Sequence, residues 1–343
     1  MSKMLTPRQL TIKIIISLLI LAAVMSFCAL AGSQKIDLQK VLAGAGAAPG
    51  ENTDYEIFVA VRVPRVILAA LVGAALACSG CALQALLRNP LADPYILGIS
   101  SGAGMGVMAA VLSGITWTLW GCSSITVFAF IGALLTVWLV WFIAYLAGKS
   151  QTTVLLLAGV IVNALFSAVI MFLTSIAKSE QVHSTIFWLM GNITEKSSSV
   201  LWASGIFCLA GTAGLFTISN RLNILTFGDE QAKTLGIDTV KTKLIAFGIA
   251  AFVTAVAVSL SGLIGFVGLI IPHAVRLLFG PDHRQLLPLS AIIGGAFLVV
   301  ADTIARMVVA PAQLPVGVIT AIAGGPLFLV LLANKSRKVN WLK

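Results

Sequence analysis

Apolar stretches about as long as a lipid bilayer is thick recur along this chain. A helix needs roughly 20 apolar residues to cross the hydrocarbon core, and inside lipid its backbone groups must bond to one another. Only 10% of the residues are charged, whereas soluble domains average about 25%. The pattern predicts an all-α polytopic membrane protein of about ten spans, at residues 12–31, 63–87, 96–112, 125–146, 154–176, 200–218, 244–260, 263–279, 286–308 and 314–333.

The formal net charge of +10 comes from basic residues scattered between the apolar stretches. They form no stripe or aromatic-basic face of the kind that binds nucleic acid. Cytoplasmic loops of membrane proteins retain Lys and Arg, and with the N-terminus inside most basic residues fall on that side. We therefore expect both termini in the cytoplasm. We expect the first stretch to be an uncleaved span rather than a signal peptide.

We expect a single transmembrane domain over residues 1–343, with two loops long enough to do more than connect spans. The outer loop, residues 32–62, is rich in glycine and carries several acidic residues: Asp37, Glu51, Asp54 and Glu56. The inner loop, residues 219–243, is the most polar stretch of the chain. Residues 334–343 read as a basic cytoplasmic tail.

The inner loop contains the signals of a short helix. Thr226 with Asp229 three residues later fits a capping box, and Gly236 after Leu235 fits a helix end. A helix of about two turns is too short to be stable alone in water. It must pack on the chain's own helix ends or on a cytoplasmic partner, and the sequence leaves both readings open.

Gly148-Lys149-Ser150 resembles the end of a phosphate-binding loop, but Ile143 stands where that motif needs its first glycine. The chain therefore has no visible ATP site of its own. Cys78 and Cys81 form a C-x-x-C pair among small residues, without the further ligands that a zinc site needs. We interpret the pair as helix packing and expect no metal site.

Residues 98–102 fit the G-x-S-x-G pattern of a serine nucleophile, which needs a strained turn between a strand and a helix. Here the pattern opens a spanning helix. Gly98, Gly102 and Gly106 recur every four residues, so they share a face on which another helix can pack closely. An intramembrane enzyme acting through Ser100 or Ser101 is the less favoured alternative.

Charged groups inside a membrane cost at least about 2.5 kcal/mol each, so they are functional candidates. Asp302 and Arg306 lie four residues apart on one helix and can pair. An ion-coupled secondary transporter would carry more acids at mid-membrane. That class remains the alternative to a transporter driven by ATP.

Several longer motifs, in this order along the chain, resemble the FecCD-type permeases of type II ABC importers. They are Arg62-Val-Pro-Arg65, residues 88–94 with 97–103, residues 226–236, residues 265–273, residues 281–284, residues 301–306 and residues 314–317. The resemblance runs from about residue 62 to residue 332. It implies import of an iron-siderophore, haem or cobalamin across a bacterial cytoplasmic (inner) membrane, without enzymatic activity in this chain.

The resemblance also implies partners. We expect a homodimeric translocation pore, two cytoplasmic ATPase subunits that hold ATP and Mg, and a periplasmic or lipid-anchored substrate-binding protein. No cofactor is expected on this chain. Alternating access would be driven by ATP hydrolysis on the partner, and the carried chelate is left open.

Three sets of site residues follow from the resemblance. Carboxylates of the binding protein would dock on Arg62, Arg65 and Arg306. Inner gates would form at two places, Asn89 with Leu91 and Thr152 with Thr153. The ATPase would contact a coupling segment made of Phe227, Gly228, Asp229, Glu230, Gln231, Leu235 and Gly236. The alternatives are interfacial anchoring for Arg62 and Arg65 and helix capping for the gate residues.

Overall fold

The computed structural model describes residues 6–32, 34–44, 51–147, 152–194 and 197–339. Its helices, in chain order, are α1 Pro7–Leu30, α2 Leu38–Ala43, α3 Thr53–Glu56, α4 Val63–Leu86, α5 Ile99–Ser113, α6 Ser124–Leu146, α7 Thr152–Ile176, α8 Ser179–Leu189, α9 Ser198–Thr217, α10 Ser219–Leu225, α11 Asp229–Thr234, α12 Thr239–Ser261, α13 Val267–Phe279, α14 His283–Met307 and α15 Val316–Val339. A π-helix, Ile57–Arg62, joins α3 to α4, and a 3-10 helix, Pro94–Leu97, precedes α5. A β-hairpin whose strands have two residues each, β1 Thr118–Leu119 and β2 Cys122–Ser123, precedes α6.

Within the described ranges, seven helices are long and apolar enough to cross a membrane: α1, α4 with the helical residues before it, α6, α7, α9, α12 and α14. Three shorter apolar helical segments, α5, α13 and Val316–Val330 of α15, match the remaining predicted stretches. The prediction of an all-α polytopic protein is confirmed. The count of ten spans stays a prediction, because α5 and α13 are shorter than one bilayer crossing requires.

Polar side chains fix where many of the helices begin. At each such start a side-chain oxygen accepts a hydrogen bond from a backbone N–H of the first turn, which satisfies a group that the helix itself leaves unbonded. The residues that do this are Thr6, Asp37, Asn52, Ser123, Asp238 and Asp282.

Helix α4 is the centre of the bundle. Most of α4, α12 and α14 is buried, whereas α1, α7 and α9 leave most of their length exposed. Helix α4 packs along α14, α12 and α13. The exposed helices face lipid or further protein, as apolar helices of a membrane protein can.

Glycines bring α4 against two neighbours at backbone contact. A Cβ on Gly73 would lie 2.3 Å from the carbonyl oxygen of Gly294 in α14. A Cβ on Gly80, two turns further along α4, would lie 1.9 Å from the carbonyl oxygen of Gly268 in α13. No side chain fits at either crossing, so the two contacts fix the position of α4 along both helices.

The predicted glycine face of α5 is confirmed. A Cβ on Gly102 would lie 1.9 Å from the hydroxyl of Thr136 in α6, and one on Gly106 would lie 2.1 Å from the carbonyl oxygen of Phe128. Ser101 donates its hydroxyl proton to the carbonyl oxygen of Gly98 within its own helix, at 3.0 Å. These contacts belong to helix packing.

One sequence-based boundary was wrong. Residues 53–62, predicted to lie in the outer loop, are helical and continue directly into α4. The predicted basic tail extends α15 as far as Val339, and residues 340–343 lie outside the described residues, as does the Gly148-Lys149-Ser150 motif.

Candidate functional site

One carboxylate and two arginines form a buried cluster at the start of α4. Arg65 donates to Asp302 of α14 through Nη2, at 3.0 Å from Oδ1, and through Nε, at 3.1 Å from Oδ2. Arg306, one turn beyond Asp302, donates from Nε to Oδ2 at 3.1 Å. The side chains of Arg65 and Asp302 are only 4% and 2% exposed. The predicted pairing of Asp302 with Arg306 is therefore confirmed, and Arg65 completes it.

Arg62 lies beside this cluster and binds backbone rather than acid. Its guanidinium donates to the carbonyl oxygens of Leu30, at 2.6 Å, and Ala29, at 3.3 Å, where α1 ends. The last carbonyls of a helix have no partner within the helix, so a buried arginine satisfies them. Arg62 thereby ties the end of α1 to the π-helix before α4.

All three arginines predicted to dock a binding protein thus lie at one end of the bundle. Each is buried, and each guanidinium already bonds to acceptors of its own chain. Docking at these residues stays a prediction. It requires carboxylates of the partner to share or replace the internal acceptors.

The predicted coupling segment surrounds α11, at the opposite end of α4. Gly236 has φ of +77°, and its N–H and that of Ile237 bond to the carbonyls of Lys233 and Ala232. This is the Schellman pattern of a helix end, so the predicted stop at Gly236 is confirmed. Ala232 is the buried residue of the helix. Glu230, Phe227 and Leu235 project from the bundle, with the side chain of Glu230 85% exposed.

The predicted capping box at Thr226 is wrong. Thr226 ends the preceding helix α10, and its hydroxyl donates to the carbonyl of Asn223 at 2.6 Å. Helix α11 begins at Asp229 instead, after Gly228 with φ of +126°. Only glycine adopts that backbone conformation readily, so Gly228 rather than a side-chain cap sets the start. Gln231 lies against this turn.

Asp229, the first residue of α11, is paired on both carboxylate oxygens. Arg88, just after α4, binds Oδ1, and Nζ of Lys243 in α12 lies 2.6 Å from Oδ2. Burial alone would raise the pKa of Asp229, but the hydrogen bond and charge of Lys243 and the charge of Arg88 outweigh it and lower the pKa. The carboxylate is therefore ionised at neutral pH.

The first predicted gate lies in the loop that follows Arg88. Asn89 accepts a hydrogen bond on its side-chain oxygen from the N–H of Leu91 at 2.9 Å, which is an Asx turn. The backbone carbonyl of Asn89 also accepts from the N–H of Ala92 at 3.1 Å. The side chain of Leu91 is exposed. The open alternative, a capping role for Asn89, describes part of this geometry, and gating stays a prediction.

The second predicted gate consists of Thr152 and Thr153, the first residues of α7. Thr153 is exposed. The side chain of Thr152 lies outside the described residues. A gating role for this pair stays a prediction.

Sequence reasoning missed Arg88, Lys243 and Tyr95 as site residues. Tyr95 donates its hydroxyl proton to the carbonyl of Ile264 at 3.0 Å and accepts from the N–H of the same residue at 2.9 Å. The hydrogen-bond partners of Arg88, Lys243 and Tyr95 lie 141, 14 and 169 positions away along the chain. For Arg88 and Lys243 the one available signal was a basic residue beside a predicted site, and for Tyr95 there was none. Among the described residues, no group of three His, Cys, Asp or Glu side chains could hold a metal ion.

Comparison with known proteins agrees with this architecture. The model of the FecCD transport family matches residues 15–334. The cobalamin import system permease protein BtuC of Halobacterium salinarum is 45% identical over 289 residues, which are 83% of this chain and 75% of that protein. The hemin transport system permease protein HmuU of Yersinia pestis is 41% identical over 283 residues, which are 82% of this chain and 84% of that protein.

Among solved structures, a metal-chelate type ABC transporter in an inward-facing conformation superposes with a TM-score of 0.79 at 31% identity. The superposition covers 92% of this chain and 98% of that one. With the apolar helices, these matches confirm the prediction of a multi-pass protein of the inner membrane. Matched over nearly its whole length, the chain belongs to the FecCD transport family.

Proposed function

We propose that this chain is the membrane-spanning permease subunit of an ABC importer that carries a metal chelate into the cytoplasm by alternating access. Two copies form the pore, separate subunits hydrolyse ATP, and a binding protein delivers the substrate. Each copy has ten spans and both termini in the cytoplasm. No ATP hydrolysis takes place on this chain.

The observation that best supports the proposal is the exposed surface of the coupling segment. Phe227 and Leu235 flank α11 and are 74% and 64% exposed, and the acidic Glu230 lies between them in the sequence. Large exposed apolar side chains at both ends of a short polar helix are typical of a protein contact. A groove in the ATPase is the partner that fits a coupling helix.

A second observation supports the cytoplasmic position of the N-terminus. Lys13 in α1 donates to Gln285 at the start of α14 at 2.7 Å. Asn223 in α10 donates to Asp282 at 2.8 Å and accepts from the N–H of His283 at 2.8 Å. The start of α1 therefore lies at the same end of the bundle as α10 and the adjoining coupling segment.

The substrate class is proposed from the relatives, whose names specify cobalamin and hemin import. An iron-siderophore, haem or cobalamin is a bulky chelate, so a pore shared by two copies suits it better than a narrow channel within one. The exposed apolar faces of α7 and α15, which include Leu165, Phe172 and Leu329, are candidates for that shared surface.

The test is ATP hydrolysis by this protein purified in lipid with its candidate ATPase, measured with and without the binding protein. Native protein is compared with Glu230→Arg, and Lys241→Glu serves as a matched charge-reversal control, because Lys241 is exposed at the same end of the bundle and makes no ion pair among the described residues. We expect the binding protein to stimulate hydrolysis, and the charge reversal to reduce that stimulation while the control does not.

Failure to form a complex with any ATPase, combined with uptake that depends on an ion gradient, would overturn the proposal in favour of a secondary transporter. Loading the binding protein with each chelate in turn then identifies the substrate. The chelate whose complex gives the largest stimulation is the one carried.

A further inference from the structure

Asp229 is oriented toward its own chain rather than away from it. Arg88 and Lys243 occupy its two oxygens, and its side chain is 39% exposed. Its neighbour Glu230 is far more exposed. Adjacent residues of the coupling segment therefore face opposite ways, Glu230 outward and Asp229 toward α4 and α12.

Arg88 reaches Asp229 from an unusual backbone conformation. Its φ of +47° lies in the left-handed region, at the position after a helix end that glycine normally occupies. The N–H of Arg88 bonds to the carbonyl of Ala85, and the N–H of Asn89 to that of Gln84. The left-handed conformation is strained for arginine but not for glycine. Residues with such strained backbones cluster at functional positions.

The loop after Arg88 is held at both of its ends. At its start, Arg88 binds Asp229 of the coupling helix. At its far end, the hydroxyl of Tyr95 binds the backbone of Ile264, between α12 and α13. Between these points the Asx turn of Asn89 makes the loop compact. The side chain of Asn89 thus links Arg88's neighbour directly to Leu91 within this short loop.

A half-open pocket of about 170 Å³ lies beside these helix ends. It is lined by Leu86 of α4 and Lys243 of α12, together with Trp141 and Tyr145 of α6 and Leu155 of α7. Lys243 therefore borders open space while its ammonium group contacts Asp229.

We propose that Arg88 and Lys243 are positioning residues for transport, and that through Asp229 they transmit movement of the coupling helix to the Asn89–Leu91 gate. The inference rests on the proposed function. It assigns Asp229 to transmission within the chain instead of contact with the ATPase. Glu230, Phe227 and Leu235 remain the outward contacts.

The test measures substrate uptake per ATP hydrolysed, in vesicles that contain the permease, its ATPase and its binding protein. The variants are Arg88→Asp, Asp229→Arg and the two combined. We expect each single reversal to lower uptake per ATP about tenfold, within the usual range of coupling between sites. We expect hydrolysis by Arg88→Asp to stay within about twofold of native, because Arg88 lies outside the coupling segment and an exposed ion pair adds little to the stability of the fold.

The combined variant restores the pair between positions 88 and 229 with its charges exchanged but leaves Lys243 without an acid, so uptake per ATP should recover in part. Lys243→Ala should lower it too, and Lys241→Ala is the matched control, because Lys241 is exposed on the same helix and makes no ion pair among the described residues. Single variants that fold and leave uptake per ATP unchanged, or a combined variant that recovers nothing, would overturn the inference alone. A native complex without stimulated hydrolysis would overturn the proposed function and this inference together.

Hydrogen exchange on the permease alone gives an independent reading that needs no partner. We expect Asp229→Asn to speed exchange in residues 88–92 as well as in α11, since the proposal links the two segments. Faster exchange confined to α11 would contradict that link.

Discussion

The two ends of α4 carry the same ionic arrangement in opposite surroundings. At one end Asp302 is held by Arg65 and Arg306, and at the other Asp229 is held by Arg88 and Lys243. The first carboxylate is buried with its arginines, whereas the second is more than a third exposed. Breaking a buried pair leaves charges in a poor solvent, but water replaces an exposed partner readily. The buried cluster suits a fixed anchor, and the exposed one suits a contact that breaks and reforms.

Removing the central carboxylate at each end should give the largest contrast. Asp302→Ala leaves two buried arginines without their acid, so we expect the free energy of unfolding to fall by about 3–5 kcal/mol. Asp229→Ala should lower it by about 1 kcal/mol or less. Denaturant or thermal unfolding of the detergent-solubilised protein measures both. Equal losses would remove the distinction between the ends.

Replacing arginine by lysine should separate the ends more finely. Arg65 binds Asp302 through two nitrogens and Gln313 through Nη1 at 2.9 Å, a geometry that one ammonium group cannot reproduce. We expect Arg65→Lys to cost about 1–3 kcal/mol of unfolding free energy, because buried acceptors lose their donors. Arg88→Lys keeps the charge beside water and should be nearly neutral. The melting temperatures of the two variants, compared with that of the native protein, test this: we expect a decrease for Arg65→Lys and almost none for Arg88→Lys.

The smallest effect concerns pH at the exposed end. The pKa of Asp229 is lowered in the folded chain, so its pairs stabilise the fold above the ordinary carboxyl pKa of about 4. That contribution is lost as pH falls through the lower folded pKa. The stability difference between native and Asp229→Asn should therefore disappear in acid and return at neutral pH. The same titration on Glu230→Gln controls for general effects of acid, and a difference that is independent of pH would contradict the ionic explanation.

The features that sequence predicted well depend on residues close together in the chain. Long apolar stretches predicted the helices. The four-residue spacing of Gly98, Gly102 and Gly106 predicted a packing face. The position of Asp302, four residues before Arg306, predicted their ion pair. Local rules suffice for these because the partners share one helix or one repeated face.

The features that sequence missed depend on distant partners or on competing local signals. Arg65 is 237 positions from Asp302, so no spacing rule links them. Thr226 carries a capping signal, but its hydroxyl serves the helix before it, and Gly228 begins α11. Residues 53–62 lack the length of a span and still continue α4, because Arg62 secures them to the end of α1.

The glycine contacts of α4 determine how a force would travel through the molecule. Gly73 and Gly80 meet carbonyls of Gly294 and Gly268 with no space for a side chain, so α4 cannot slide by a turn along either neighbour. Helix α4 therefore keeps a fixed register against α13 and α14 and can move only as a rigid element. At 1.5 Å per residue, the 24 residues of α4 span about 36 Å. We expect a tilt applied at its Arg88 end to reach its Arg65 end as a lever movement, without loss of register on the way.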